Sequence, residues 1–167
     1  MDAKFYRDIS NMIEDAISAY EELLELYKEK KQALMTRNTD KLSVVDNNII
    51  SQVEIINKIN NIRDNYCRNN DVAVPIKITE LLEMTAQENP DFHEVYEQQK
   101  VKIREVADEI ALLSKTNVEL LKHGLIMSDK MLDIILSAAV PQTTNYNKQG
   151  KNIETSELSI SSIVEDA

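Results

Sequence analysis

Three residues carry most of the reactive chemistry of this chain: two histidines and one cysteine. His93 opens the stretch HEVYE, which resembles half of the zinc-binding HExxH pattern, but Glu97 occupies the place of the second histidine. The other histidine, His123, lies thirty residues further on. Zinc needs several ligands that converge on one point. The stretch therefore indicates a solvated helix start, and we expect neither a metal site nor a cofactor.

His123, in the stretch LLKHGLI, suggests a second chemistry, because phosphotransfer domains are helical bundles that expose a histidine on a helix. In those domains Lys and Gly usually follow the histidine, whereas here Lys122 precedes it. A shared bundle fold says little about function. A phosphotransfer role is therefore kept only as an alternative to an ordinary exposed histidine.

The rest of the sequence favours binding over catalysis. It contains no Gly-rich phosphate loop and no nucleophile elbow, and Cys67 has no adjacent base pattern. A formal net charge of -10 repels phosphates and anionic lipid headgroups. The N-terminus lacks the pattern of a secretory signal, and no apolar run is long enough to span a bilayer. We expect a cytoplasmic protein that is not an enzyme and that neither binds nucleic acid nor inserts into a membrane.

The apolar spacing predicts helices throughout. Steps of three and four residues run from Asp2 to about Met35 and, after a turn at Arg37–Asp40, on to about Asn69. Residues 78–84 suggest a short amphipathic helix. A last helix is predicted to start at Asn89 and Pro90, as N-cap and first residue, and Pro141 ends it.

These elements predict an all-α fold: an elongated, antiparallel three-helix coiled-coil bundle with up-down-up topology. The short extra helix lies in the second connection. We expect a helical bundle over residues 1–140 and a flexible C-terminal tail over residues 141–167.

The last helix is predicted to be about 50 residues long and to exceed its partners by 15 to 20 residues, or roughly 25 Å. Its seam contains Gln99 and Asn117, which can fix the register as buried amides do in coiled coils. Towards its C-terminal end the apolar stripe widens beyond one face, so either the tail or another protein should cover it. The residues predicted to bind a client from this widened stripe are Leu121, Leu125, Met131, Leu132 and Ile135.

The tail stretch TTNYNKQGK contains one aromatic residue, Tyr146, in an otherwise polar segment. Such a ring suits an exposed anchor, because it offers a large apolar face while only two χ angles become fixed. Gly150 would let the chain turn away from the contact. From the residues alone, Tyr146 could equally pack back onto the end of the last helix.

The order of these features resembles the FlgN-like family, the flagellar export chaperones of the hook-associated proteins. The matching pieces are LLELYKEKKQALMTRNTDKL, LLSKTNVELLKHGLIMSDKMLDII and NYNKQGK. The family carries an asparagine pair followed by a Leu-Leu pair, and Asn117, Leu120 and Leu121 match it while Ser114 replaces the first asparagine. The family's tail tyrosine and the glycine four positions later match Tyr146 and Gly150.

The resemblance implies a cytoplasmic chaperone that binds terminal helical segments of flagellar hook-associated proteins, which form the hook–filament junction. It implies that Asn117, Leu120 and Leu121 belong to the client site. It further implies that Tyr146 and Gly150 dock on the cytoplasmic domain of the flagellar type III export gate. A structural coiled-coil adaptor that uses the same surface to self-associate is the alternative of a different class.

Overall fold

The structure is a computed structural model, and it describes residues 3–139, 145–146 and 152–153. These residues form four α-helices, one short 3₁₀ helix and one pair of two-residue strands. In chain order the elements are α1 Ala3–Met35, α2 Thr39–Asn69, α3 Ile78–Glu88, the 3₁₀ helix Pro90–Phe92, α4 His93–Ala139, β1 Asn145–Tyr146 and β2 Asn152–Ile153. The chain divides into two units, Met1–Leu125 and Ile126–Ala167, and each is described by itself.

The helices of the first unit confirm the predicted all-α class and lie close to the predicted bounds. α1 and α2 pack as an antiparallel hairpin. Later residues of α1 contact earlier residues of α2, as an antiparallel pair requires. Tyr66 donates to Asp8 at 2.8 Å, and Gln52 donates to the backbone oxygen of Ala19 at 2.9 Å. The tight turn between the helices is fixed by Asn38, whose side-chain oxygen accepts the backbone N–H of Lys41 at 2.9 Å. The cap satisfies one of the free donors at the start of α2.

The second connection contains α3, as the amphipathic pattern of residues 78–84 predicts. Leu81 and Leu82 are fully buried, so α3 contributes its apolar face to the core. After it, the Asn89 side chain accepts the backbone N–H of Asp91, and Pro90 is the first residue of a 3₁₀ turn that leads into α4. The predicted cap is confirmed, although the first turn is 3₁₀ and the α-helix itself begins at His93.

α4 runs parallel to α1 within the first unit. Tyr96 donates to the backbone oxygen of Tyr6 at 2.7 Å, and Asn117 donates to that of Tyr27 at 3.1 Å. The two pairs have the same offset, 96 − 6 = 90 and 117 − 27 = 90, so the helices keep one register over this stretch. With α2 antiparallel to α1, the three directions are those of the predicted up-down-up order.

The core of the first unit is largest where α1, α3 and the start of α4 meet. Its most deeply buried large side chains include Phe5, Ile9, Ile13, Leu81 and Tyr96. A smaller cluster lies further along the hairpin and contains Ala19, Leu23 and Ile56, with Ile110 of α4 packed against it.

The second unit contains the end of α4 and the strand pair. β1 and β2 are antiparallel, with Asn145 opposite Ile153 and Tyr146 opposite Asn152. Both strands fall within the region predicted as a flexible tail. The predicted boundary at residues 140–141 lies outside the described residues, so the division into a bundle and a tail stays a prediction.

Candidate partner-binding surface on α4

One face of α4 packs on the rest of the first unit. The buried side chains of this face follow the predicted steps of three and four residues, or a sum of such steps: Tyr96, Gln99, Ile103, Val106 and Asn117. A 3.6-residue period places them in one stripe, which we call the seam. Two of its five buried members are amides.

Both seam amides donate to α1. Gln99 donates from Nε2 to the backbone oxygen and the hydroxyl of Ser10, at 3.1 and 3.0 Å, and to Glu14 at 3.0 Å. Asn117 donates from Nδ2 to Tyr27, and its side chain is 2% exposed. The amide oxygens of Gln99 and Asn117 are buried and have no hydrogen-bond partner among the described residues. Each seam amide therefore gains a directional contact and carries a desolvation cost.

Burial on α4 ends just after Asn117. Leu120 is half-buried, and every residue from Leu121 to Ser137 is exposed. In the first unit, Leu121 and Leu125 are 37% and 66% exposed; in the second, large apolar side chains of α4 reach 68% exposure at Ile134. The nine exposed large apolar residues of this part of α4 are Leu121, Leu125, Ile126, Met127, Met131, Leu132, Ile134, Ile135 and Leu136.

These side chains cover a broad arc of the helix. At about 100° per residue, all of them except Ile126 lie within an arc of roughly 200°. Counted the same way along α4, the seam positions fall within this arc, and Leu121 and Leu125 of the first unit share the side of α4 that packs on α1. We call this arc, from Leu120 to Leu136, the open face. Its opposite side carries Ile126 and is otherwise polar, with Glu119, Lys122, His123, Asp129, Lys130 and Asp133.

The structure separates the residues that the sequence assigned to client binding. Leu121, Leu125, Met131, Leu132 and Ile135 are exposed on the open face, and Leu120 is at its edge. Asn117 differs, because its side chain is buried and bonded to α1. This contact is of the kind by which buried amides fix helix register, and the client-binding role of Asn117 stays a prediction.

The residues assigned to the export gate are described only in part. The backbone of Tyr146 lies in β1, opposite Asn152 of β2. The Tyr146 side chain and Gly150 lie outside the described residues, so their docking role stays a prediction.

A second group of exposed apolar residues was not singled out from the sequence. It lies on α2 and consists of Val44, Ile50, Val53, Ile55 and Ile62. The sequence signal that could have identified this group is the excess of isoleucine and valine in α2 beyond the stripe that faces α1. At about 100° per residue Val44, Ile55 and Ile62 share one direction, and with Ile50 and Val53 the group spans roughly 200°.

The reactive residues do not converge. His93 and His123 are both exposed on α4, and among the described residues no group of three or more His, Cys, Asp or Glu is placed to hold a metal ion. Cys67 is buried, and burial raises the pKa of its thiol, which disfavours the reactive thiolate.

The depression between α1 and α4 is lined mainly by acidic side chains. Its lining includes Lys28, Lys102 and five glutamates, which are Glu21, Glu22, Glu25, Glu105 and Glu109. Lys102 pairs with Glu21 at 3.0 Å, and both side chains are about half exposed, so the pair contributes little to stability. None of the described helices combines the length and the apolar character needed to cross a membrane.

Comparison with known proteins gives one clear result. Neither the curated proteins nor the solved structures provide a match. Among protein families, the one described as FlgN protein matches residues 1–154, which is most of the chain's 167 residues. The chain belongs to the FlgN family, the flagellar export chaperones.

Proposed function

We propose that this chaperone binds terminal helical segments of flagellar hook-associated proteins along the open face of α4 and delivers them to the flagellar type III export gate in the cytoplasm. The observation that carries the proposal is the exposure of nine large apolar side chains directly beyond the buried seam. Extended apolar surface on a folded protein marks interaction sites.

The open face suits a helical client for a physical reason. The backbone N–H and C=O groups inside α4 are already paired within the helix, so the face offers no edge to which a strand could add. A second amphipathic helix satisfies its own backbone and brings an apolar stripe to the contact. From Leu120 to Ile135 the face extends fifteen residues, or roughly 22 Å along α4.

Mutation of two exposed residues tests this assignment. Leu132 and Ile135 are 55% and 61% exposed, so changing both to Ser should leave the folded core intact. Burial of such a side chain contributes about 1.5 to 3 kcal/mol, and the double variant should lose affinity for a synthetic peptide of a terminal hook-associated segment by on the order of a hundredfold. The measurement is isothermal titration calorimetry, with circular dichroism to verify helical content.

A matched control is available on α2. Val44 and Ile62 are each 59% exposed and also lie inside a helix. Changing both to Ser removes a similar amount of exposed apolar surface away from α4 and should leave peptide affinity unchanged. Equal loss in the two double variants would show that general surface hydrophobicity, and not the open face, captures the peptide.

Self-association is the alternative use of the same surface. Sedimentation velocity of the wild-type protein, with and without the peptide, distinguishes the two. A chaperone of the proposed kind forms a complex with the peptide. A stable homodimer that ignores the peptide would identify a structural adaptor instead.

A further inference from the structure

Gly124 occupies an unusual place on α4. It lies inside a regular helix of 47 residues, far from either end. A Cβ atom built on Gly124 would meet no atom within 4 Å beyond its two chain neighbours and the nearby backbone of α4 itself. The described part of the chain therefore leaves room for a larger side chain at this position.

Glycine is costly in a helix interior. It loses more conformational freedom on folding than any other residue, and Ala is a much better helix former. The backbone of Gly124 is helical, so no left-handed conformation requires it here. Neither the fold nor its own neighbours account for this glycine.

The position of Gly124 relates it to the packing face. It lies seven residues after Asn117, so two turns of helix bring it back to the direction of the seam. Three large side chains flank it in the first unit: Leu120, Leu121 and Leu125. We call the bare helix surface at Gly124, between these leucine positions, the notch.

We propose that Gly124 is the point of closest approach of the client helix, and that a large apolar side chain of that helix inserts into the notch. The proposal rests on the proposed function and adds the residue that sets the fit. The occupant is an amphipathic helix, because α4 offers no unpaired backbone. Continuity with the packed face supports it, since the contact between α4 and α1 reaches Asn117 and Tyr27, and Gly124 lies on the same side of α4 two turns further on.

For peptide affinity, the inference predicts the opposite of what surface hydrophobicity alone predicts. Gly124→Leu adds apolar area to an apolar face, so a general sticky surface would bind the peptide more tightly. A filled notch instead forces the client helix away, and overpacking of this kind should weaken binding between about fivefold and a hundredfold. Gly124→Ala should shift the folding equilibrium in favour of the helix by up to about fivefold while still weakening peptide binding.

The test measures the wild-type protein, the two Gly124 variants and one control against the same terminal hook-associated peptide by calorimetry, and follows their thermal unfolding by circular dichroism. The control is His123→Leu, which adds the same side chain one residue away on the polar side of α4. We expect Gly124→Leu to unfold at the wild-type temperature or higher and to bind weakly, while His123→Leu binds like the wild type.

Three results would overturn the inference. They are tighter or unchanged peptide binding by Gly124→Leu, an equal loss in His123→Leu, and a wild-type homodimer that Gly124→Leu dissociates, which would make a second copy the occupant. Failure of the proposed function looks different, because the wild-type protein would then not bind the peptide at all.

Discussion

Asn117 in α4 donates a hydrogen bond to the backbone oxygen of Tyr27 in α1 at 3.1 Å, while its own buried Oδ1 has no hydrogen-bond partner among the described residues. Tyr27 lies inside α1, so its carbonyl also has an intrahelical donor. Asn117 thus adds a second bond to a satisfied acceptor and buries an unsatisfied oxygen. Such a contact specifies alignment more than it stabilises the fold.

Replacing Asn117 with Leu should raise the free energy of unfolding by about 1 kcal/mol, because the unsatisfied oxygen is removed and apolar contact replaces it. Urea unfolding of the full chain measures the change. Gln99→Leu is the comparison, since there Glu14 and Ser10 lose a donor and stability should fall. A fall for Asn117→Leu as large as that for Gln99→Leu would show that the Asn117 bond itself stabilises the fold.

Tyr96 provides a prediction about pH. Its ring is fully buried, and desolvation, with a smaller contribution from Tyr6, raises the pKa of Tyr96 to about 12. Because the folded pKa lies above the ordinary tyrosine value of 10.0, the folded protein keeps this proton in a range where the unfolded chain has lost it. The resulting stability is complete below about pH 10 and declines as the pH rises towards 12, by at most about 1.4 kcal/mol per pH unit.

Tyr96→Phe isolates that effect. Near neutral pH the variant should be less stable by about 1 kcal/mol, because the hydrogen bond to the Tyr6 backbone oxygen is lost. Above about pH 10 the wild type loses stability that the variant does not, so the difference should shrink and then reverse. Urea unfolding at about pH 8 and about pH 11 measures both values. A difference that stays constant with pH would contradict the assigned role of the buried phenol.

The sequence predicted the helices well because their signals are local. Asn38, Asn89 and Pro90 mark helix starts, and the spacing of apolar residues along α4 identifies its packing face. The sequence predicted a wider apolar stripe near the end of α4 but not the residue, Asn117, after which burial ends. That residue depends on how far α1 and α2 extend beside α4. Periodicity could not assign Asn117 to one role, since seam and client site lie on the same side of one helix. The contact with Tyr27 supports the register role, and the client-binding role stays a prediction.

The histidines give a test of the phosphotransfer alternative. His93 and His123 are exposed, and among the described residues neither belongs to a group of three or more His, Cys, Asp or Glu that could hold a metal ion. Changing both to Gln should therefore leave folding and the export of hook-associated proteins unchanged. Secretion of those proteins by a strain that carries only the double variant is the measurement. Lost export with normal folding and normal peptide binding would restore the phosphotransfer reading.

Tyr146 should serve a different step from the open face. Its backbone pairs with Asn152 in a short antiparallel ladder, and Gly150 follows it by four residues, as in the tail of the family that the chain resembles. We expect Tyr146→Ala to bind the hook-associated peptide like the wild type and to lose binding to the purified cytoplasmic domain of the export gate. Tyr146→Phe keeps the ring and its apolar face, so it should retain most of the gate binding.

The double change Leu132→Ser and Ile135→Ser should give the opposite pattern, with the peptide lost and the gate retained, because those side chains lie on α4. Calorimetry of both variants against both partners completes the comparison. If Tyr146→Ala binds the gate normally, Tyr146 is not the anchor. If it loses the peptide together with helical content near the end of α4, the ring packs on the helix and supports the open face instead.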